Sequence, residues 1–385
     1  MIYVDNAATT RISDSVIEKM IPFLKKHYGN ASSQYAFGLA AKHAVDKARI
    51  QFASALNASP DEIVFTSGGS EGNNWVLFGA AASLDDGYGH IITSSIEHHS
   101  VLNACKEIEK RGVEITYLPV DRYGRVRPAD VRKSIQKDTV LVSVMLANNE
   151  IGTLQPIAEI GQFLRRKGIF FHTDAVQAVG HIPVDVIDLG IDFLTASSHK
   201  FNGPKGVGIL YKRRGVKLPP LIYGGEQEQN LRAGTENVAG IVGAGFAVEE
   251  SGIELCTNYD RLRSLANSTI VGIQSRIPNV IVNGHPKHRL PGIVSLTFEG
   301  VSGESLMHLL DLKGICVSTS SACSSGSSKP SHVLLATGLS DEQAKGTIRI
   351  SYGKYNDMTE VSQVVDNVCN AYQKIRSAQE NIPNK

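Results

Sequence analysis

Four short segments carry side chains able to do chemistry, and each follows an apolar run with the pattern of a strand. In Thr66-Ser67-Gly68-Gly69-Ser70-Glu71, glycines free the backbone to expose its N–H groups just before a helical pattern. A helix N-terminus with exposed N–H groups suits a phosphate. An ordinary strand-to-helix turn with Ser70 as N-cap fits the same residues. In Phe170-Phe171-His172-Thr173-Asp174-Ala175-Val176-Gln177, an apolar run ends in a carboxylate. That position is the carboxyl edge of a strand, where open α/β sheets bind ligands. A carboxylate there can keep a pyridine nitrogen protonated, which makes the ring an electron sink; it can also cap a helix. In Leu194-Thr195-Ala196-Ser197-Ser198-His199-Lys200, the lysine follows a strand end among small polar residues. It is placed to form a Schiff base with an aldehyde, or to be a loop lysine. Ser197 and His199 are donors for a phosphate. The order phosphate loop, aspartate, lysine is hard to assign to coincidence.

The fourth segment, Ser318 to Pro330, is built from serine, glycine and alanine around Cys323. A structural cysteine prefers an apolar core. A thiol on a small, polar loop suits collection of sulfur at one place and delivery at another; a linker with an incidental cysteine is the plain alternative. The other cysteines differ: Cys105, Cys316 and Cys369 fall in apolar patterns that read as packing, and Cys256 has no reading. His98 and His99 lie between a strand and a helix, where a histidine is more often a cap than a catalyst. Arg349 alternates with apolar neighbours in Thr347-Ile348-Arg349-Ile350-Ser351, so it can fork onto a carboxylate or form a structural ion pair.

The elements that must position these groups alternate. Strand patterns are expected over 62–66, 90–93, 113–118, 140–145 and 169–172, with helices after Ser70, over 100–109 and over 157–166. Alternation of this kind implies a mostly parallel sheet covered on both faces. The rhythm changes near Glu249, after which a helix over 259–276, strands over 293–298 and 315–318, a helix from about Ser302 and a last helix from about Thr359 are expected. The 385 residues accommodate about two domains: a large one over 14–250 and a smaller one made of 1–13 and 251–385. Lys and Arg total 39 against 38 Asp and Glu, a balance that points to neither nucleic acid nor a membrane surface. Five scattered cysteines, an odd number without metal-ligand spacing, suit a reduced, cytoplasmic protein without a metal centre. Asp5 interrupts the N-terminus where a signal peptide needs apolar residues.

Taken together, the segments resemble the cysteine desulfurases, in the class-V aminotransferase-like branch of fold-type I pyridoxal-phosphate enzymes. The resemblance runs from Val4-Asp5-Asn6-Ala7-Ala8-Thr9-Thr10 to the last helix, and the Ser-His-Lys motif with the Ser-Ala-Cys loop is its most specific part. The long loop around Cys323 is similar to that of the NifS/IscS-like group I. The resemblance implies pyridoxal 5'-phosphate carried on Lys200, with Asp174 on the ring nitrogen, Gln177 on the phenolic oxygen and His98 stacked on the ring. It implies that Gly69, Ser70, Ser197 and His199 hold the phosphate, and that Thr235 reaches the phosphate of the other subunit in a homodimer. Asn149 and Arg349 would bind the substrate carboxylate, Asn149 also touching the cofactor, and Cys323 would take the sulfur of L-cysteine as a persulfide.

Two departures are small: Ala31 stands where the family usually has proline, and Gly69-Ser70 replaces a small residue plus threonine. The chain ends soon after Ile375, where housekeeping bacterial desulfurases continue into a tail that docks the iron–sulfur scaffold. Gly224-Gly225-Glu226-Gln227-Glu228-Gln229 is similar to desulfurases of Gram-positive bacteria, some of which supply tRNA thiolation. The implied acceptor is therefore an iron–sulfur scaffold or a tRNA thiolase. Rival readings are a selenocysteine lyase, another class-V aminotransferase, which needs no loop cysteine, and a catalytically silent sulfur-relay scaffold, which would not need Lys200 and Asp174.

Overall fold

Short runs of β-branched and aromatic residues, too short for helices and buried on both faces, build the centre of the protein. In the computed structural model, which describes residues 1–84, 88–319 and 329–380, seven described strands form one sheet. Their order across the sheet is Ile63–Thr66, Gly208–Lys212, Phe193–Ser197, Phe170–Asp174, Thr139–Ser143, His90–Ser94 and Glu114–Leu118. All neighbours pair parallel except Gly208–Lys212, which runs antiparallel to both of its neighbours. Ile63, Val64, Phe65 and Thr66 are all buried, as a strand covered by helices on both sides requires. The fold is thus α/β, with a mostly parallel central sheet.

The antiparallel strand has a functional consequence. Parallel neighbours need a long crossover, whereas antiparallel neighbours can be joined directly. Residues 198–207 therefore turn straight back from Ser197 to Gly208, which pair across the ladder, and Lys200 sits in that turn at the carboxyl end of its strand. The turn is closed by Ser198 N–H to Val207 O at 3.1 Å and Gly203 N–H to Ser198 O at 3.0 Å.

Helix Ala36–Leu56 packs Ala41, Val45, Ala48 and Phe52 into the main core, at the spacing its sequence shows. It stops at Asn57, whose left-handed backbone (φ 53°) lets its N–H bond back to the last turn. A second sheet joins Ser318–Thr319, Thr347–Ser351, Ile293–Thr297 and Ile281–Asn283, all antiparallel. Helices Leu255–Gln274, Gly303–Asp311 and Met358–Glu380 close over it around a separate core that includes Leu296, Ile350, Val364 and Val368. Strand Ile2–Tyr3 pairs with Ile315–Cys316, and Val4 joins this second core.

Some boundaries differ from the expected ones. The strand expected over 315–318 divides, with Ile315–Cys316 pairing to the N-terminus and Ser318–Thr319 to Thr347–Ser351. The helix expected from residue 259 starts at Leu255, directly after helix Val238–Ile253. The helix after the 66–68 turn starts at Gly69 with Gly68 as its N-cap, so Ser70 lies in the first turn and is not the cap. Cys323 lies outside the described residues.

Gly208 is where the returning strand meets the Gly68-Gly69 loop: a Cβ there would lie 2.6 Å from Ala196 O and 2.7 Å from Gly68 Cα. Gly208→Ala should lower stability by about 1–3 kcal/mol, as overpacking against backbone does. Gly252→Ala, in a helix where a Cβ meets nothing within 4 Å, should be neutral or gain up to about 1 kcal/mol. Urea midpoints of the two variants test this; equal midpoints would contradict the close approach.

Candidate active site

The site is assembled from the carboxyl ends of the parallel strands. Strand Ile63–Thr66 leads into Gly68, whose backbone (φ 152°, ψ −174°) is a conformation essentially reserved for glycine. Gly69 follows without a side chain because a Cβ would lie 2.7 Å from Val176 Cγ2. These two glycines let helix Gly69–Ala82 begin against the turn after Asp174. Glu71 braces the loop, accepting from Ser67 N–H at 2.8 Å and from Arg232 Nε at 2.9 Å.

Asp174 ends its strand only 5% exposed. Its Oδ1 accepts Val176 N–H at 3.0 Å, and its Oδ2 accepts Asn73 Nδ2 at 2.6 Å. Asn73 also donates to Ser100 Oγ at 2.9 Å, and Ser100 Oγ lies 2.8 Å from His98 Nδ1. His98 caps helix His99–Glu109, accepting Ser100 N–H on Nδ1. Burial pushes the His98 imidazole below its ordinary range; Asp174 opposes the shift, and Lys200 and His99 add to it. His199 is pushed down to about 4 by burial, then by Lys200 and Lys205. Both imidazoles are therefore neutral at pH 7.

Lys200 Nζ donates to Ala7 O and Ala8 O, each at 2.7 Å. Gln177 Nε2 donates to the same Ala7 O at 2.9 Å. Arg349 is 4% exposed; its NH1 donates to Asn149 O at 2.9 Å and its NH2 to Asp5 Oδ1 at 2.7 Å. Its Nε is buried without a partner among the described residues.

Gly69, Ser70, His98, Asn149, Asp174, Gln177, Ser197, His199, Lys200 and Arg349 all line one cavity of about 280 Å³. Thr235 does not. It lines another cavity, of about 250 Å³, beside Thr66, Ser67 and Arg232. Cys323 lies outside the described residues, but both flanks of its segment are anchored near the cavity. Ser318 Oγ donates to Asp5 Oδ2 at 2.9 Å, and Ser331 Oγ to Glu150 Oε2 at 2.5 Å.

Sequence reasoning missed Asn73, Ser100, Asp5 and the carbonyls of Ala7 and Ala8. Asn73 was within reach, because it lies four residues from Gly69 on the same helix face. Nothing local marks the N-terminal carbonyls, which meet Lys200 only in the fold. Among the described residues no three His, Cys, Asp or Glu side chains are grouped to hold a metal, and no helix is long and apolar enough to cross a membrane.

The aminotransferase class-V family model matches residues 2–364. A cysteine desulfurase IscS of Methanosarcina thermophila is 50% identical over 376 residues, covering 98% of this chain and 93% of that one. A putative cysteine desulfurase IscS 1 of Bacillus subtilis is 44% identical, covering 97% and 99%. Among solved structures, a NifS-like protein superposes with a TM-score of 0.92 at 39% identity, covering 97% of this chain and 99% of that one. SspA in complex with cysteine gives a TM-score of 0.83 at 37% identity over 92% of this chain and 100% of that one. The chain belongs to the class-V aminotransferases, a family of pyridoxal-phosphate enzymes. Within that family it is a cysteine desulfurase.

The residues present fit the cofactor. The cavity supplies a lysine amine for an aldehyde, a buried carboxylate for a ring nitrogen, and a helix N-terminus with two hydroxyls and an imidazole for a phosphate.

One buried carboxyl beside the site has its own signature. Glu97 is 0% exposed and accepts from Ser94 Oγ at 2.5 Å and Met145 N–H at 2.9 Å. Burial raises its pKa from the ordinary glutamate range to about 8. The folded protein therefore keeps a proton that the unfolded chain has released. Stability should fall as pH rises from about 4.5 toward 8 and level off above it, by at most about 1.4 kcal/mol per pH unit from this group. Glu97→Gln keeps an acceptor for both donors and should flatten that slope between pH 6 and 8. A denaturation series across this range that is unchanged in Glu97→Gln would show that the carboxyl is already ionised in the fold.

Proposed function

We propose that the protein converts L-cysteine to L-alanine and carries the released sulfur as a persulfide on Cys323 for transfer to an acceptor. The observation that carries this reading is one cavity lined by Lys200, Asp174, His98 and Arg349 together. Pyridoxal phosphate, when bound, supplies an electron sink that acidifies the substrate Cα–H and weakens the bond to its sulfur.

Lys200 holds the cofactor, and its Nζ moves the proton of the substrate Cα. Its Nζ donates to the carbonyls of Ala7 and Ala8, which hold the amine at the cavity wall. Asp174 keeps the ring nitrogen protonated, Gln177 bonds the phenolic oxygen, and His98 covers the ring. Gly69, Ser70, Ser197 and His199 take the phosphate. Arg349, whose Nε–H has no partner among the described residues, and Asn149 orient the substrate carboxylate.

The Cys323 thiolate attacks the substrate sulfur. A sulfur–sulfur bond forms as the Cβ–S bond breaks; its electron pair stays with carbon, which gains a proton and leaves as alanine. Two of the other thiols are poor rivals. Cys105 is buried, and burial pushes it up to about 12; Cys369 is buried and pushed up for the same reason. Thr235, outside the first cavity, is assigned to the cofactor phosphate of a second subunit, so the working form is a homodimer. The acceptor is an iron–sulfur scaffold or a tRNA-thiolating enzyme, and the setting is the cytoplasm.

Borohydride treatment of the yellow holoenzyme should fix the cofactor on Lys200; label on Lys205 instead would overturn the assignment. Cys323→Ala should bind cysteine and shift the visible spectrum, yet release almost no alanine and carry no extra sulfur by mass spectrometry. Normal turnover in that variant would rule out the proposed sulfur transfer. Sedimentation should give a dimer, and a fully active monomer would remove Thr235 from the site.

A further inference from the structure

Asn73 lies in the wall of the cofactor cavity, 1% exposed, and none of the roles assigned above uses it. Its amide nitrogen carries two hydrogens, and both are spent on groups that the proposed function places against the cofactor. One goes to Asp174 Oδ2 at 2.6 Å, the other to Ser100 Oγ at 2.9 Å. The amide can point only one way: flipped, its oxygen would face the acceptor-only carboxylate of Asp174. Its own Oδ1 is buried without a partner among the described residues, so the donors alone hold it in place.

The second hydrogen bond sets a direction further along. Ser100 Oγ accepts from Asn73, which leaves its O–H to donate to His98 Nδ1 at 2.8 Å, where Ser100 N–H also arrives at 3.1 Å. With two donors on Nδ1, the neutral His98 ring carries its hydrogen on Nε2. We propose that Asn73 is a positioning residue whose one amide orients the Asp174 carboxylate and, by turning the Ser100 O–H onto Nδ1, reinforces the His98 tautomer that the Ser100 backbone N–H also favours. This rests on the proposed roles of Asp174 and His98 at the cofactor ring.

The test uses the full-length holoenzyme and three readouts: cysteine turnover, the dissociation constant of pyridoxal phosphate, and the ring ¹³Cδ2 shift of His98, assigned by its loss in His98→Gln. Asn73→Ala should lower kcat about tenfold to a hundredfold, as small misplacements do, with KM within about threefold. It should weaken cofactor binding about tenfold and move the His98 signal. Ser100→Ala should move the His98 signal but leave cofactor affinity within about twofold, and Ser100→Thr should restore the signal. Asn73→Asp keeps the volume, so it serves if the alanine variant does not fold. The introduced carboxylate accepts the Ser100 O–H, and the His98 signal should shift as in Ser100→Ala. Wild-type cofactor affinity and an unmoved His98 signal in the Asn73 variants would overturn the proposal. Asp174→Asn separates the two levels. If it is impaired while Asn73→Ala is not, only the relay fails; if it turns over at the wild-type rate, the role of Asp174 itself fails.

Discussion

Burying a carboxylate costs several kcal/mol unless hydrogen bonds replace the lost water, and the buried carboxylate of Asp174 organises much of this site. One oxygen is satisfied by the backbone of its own turn, the other by Asn73 from the next helix. For Asn73 to reach it, helix Gly69–Ala82 must start close to that turn, which only a glycine pair at residues 68 and 69 permits. Asn73 in turn fixes Ser100 and so the capping histidine of the following helix. The glycine loop at residues 68 and 69, the orientation of Asp174 and the placement of His98 all follow from satisfying one buried carboxylate.

The substrate side is built on a second compensated charge. Arg349, on the small sheet, is buried and paired with Asp5, and Asp5 also accepts from Ser318 at the start of the cysteine segment. One carboxylate thus ties the proposed substrate guanidinium to the strand from which Cys323 departs. The same N-terminal stretch offers the Ala7 and Ala8 carbonyls to Lys200. It joins the two sheets at the cavity, which explains why residues so far from Lys200 in sequence belong to its surroundings.

Much of this was legible in the residues. The phosphate loop, Asp174 and Lys200 each follow a strand, and the open α/β rule places all three at one edge. Apolar periodicity placed the strands at 63–66, 90–94, 114–118, 139–143 and 170–174 and the last helix to within a few residues, but it gave no expectation for strand Gly208–Lys212 or helix Val238–Ile253. Cys323 stood out because its neighbours cannot form a core. The resemblance to desulfurases then supplied roles that no pattern carries, such as those of Gln177 and Thr235.

Three things depended on tertiary structure. The direction of strand Gly208–Lys212 is one: its composition is that of any buried strand, and only its pairing with Ser197 shows that Lys200 lies in a tight return. The cap of the phosphate-loop helix is another; a serine is the better cap by side chain, but the backbone conformation needed there is open only to Gly68. The last is the set of partners around the chemical groups. Type and spacing along a chain determine which residues reach a strand end or a helix face. Whether Asn73 meets Asp174, or Asp5 meets Arg349, is decided by the packing of elements 101 and 344 residues apart, where hydrogen-bond geometry is satisfied only once the whole sheet is in place.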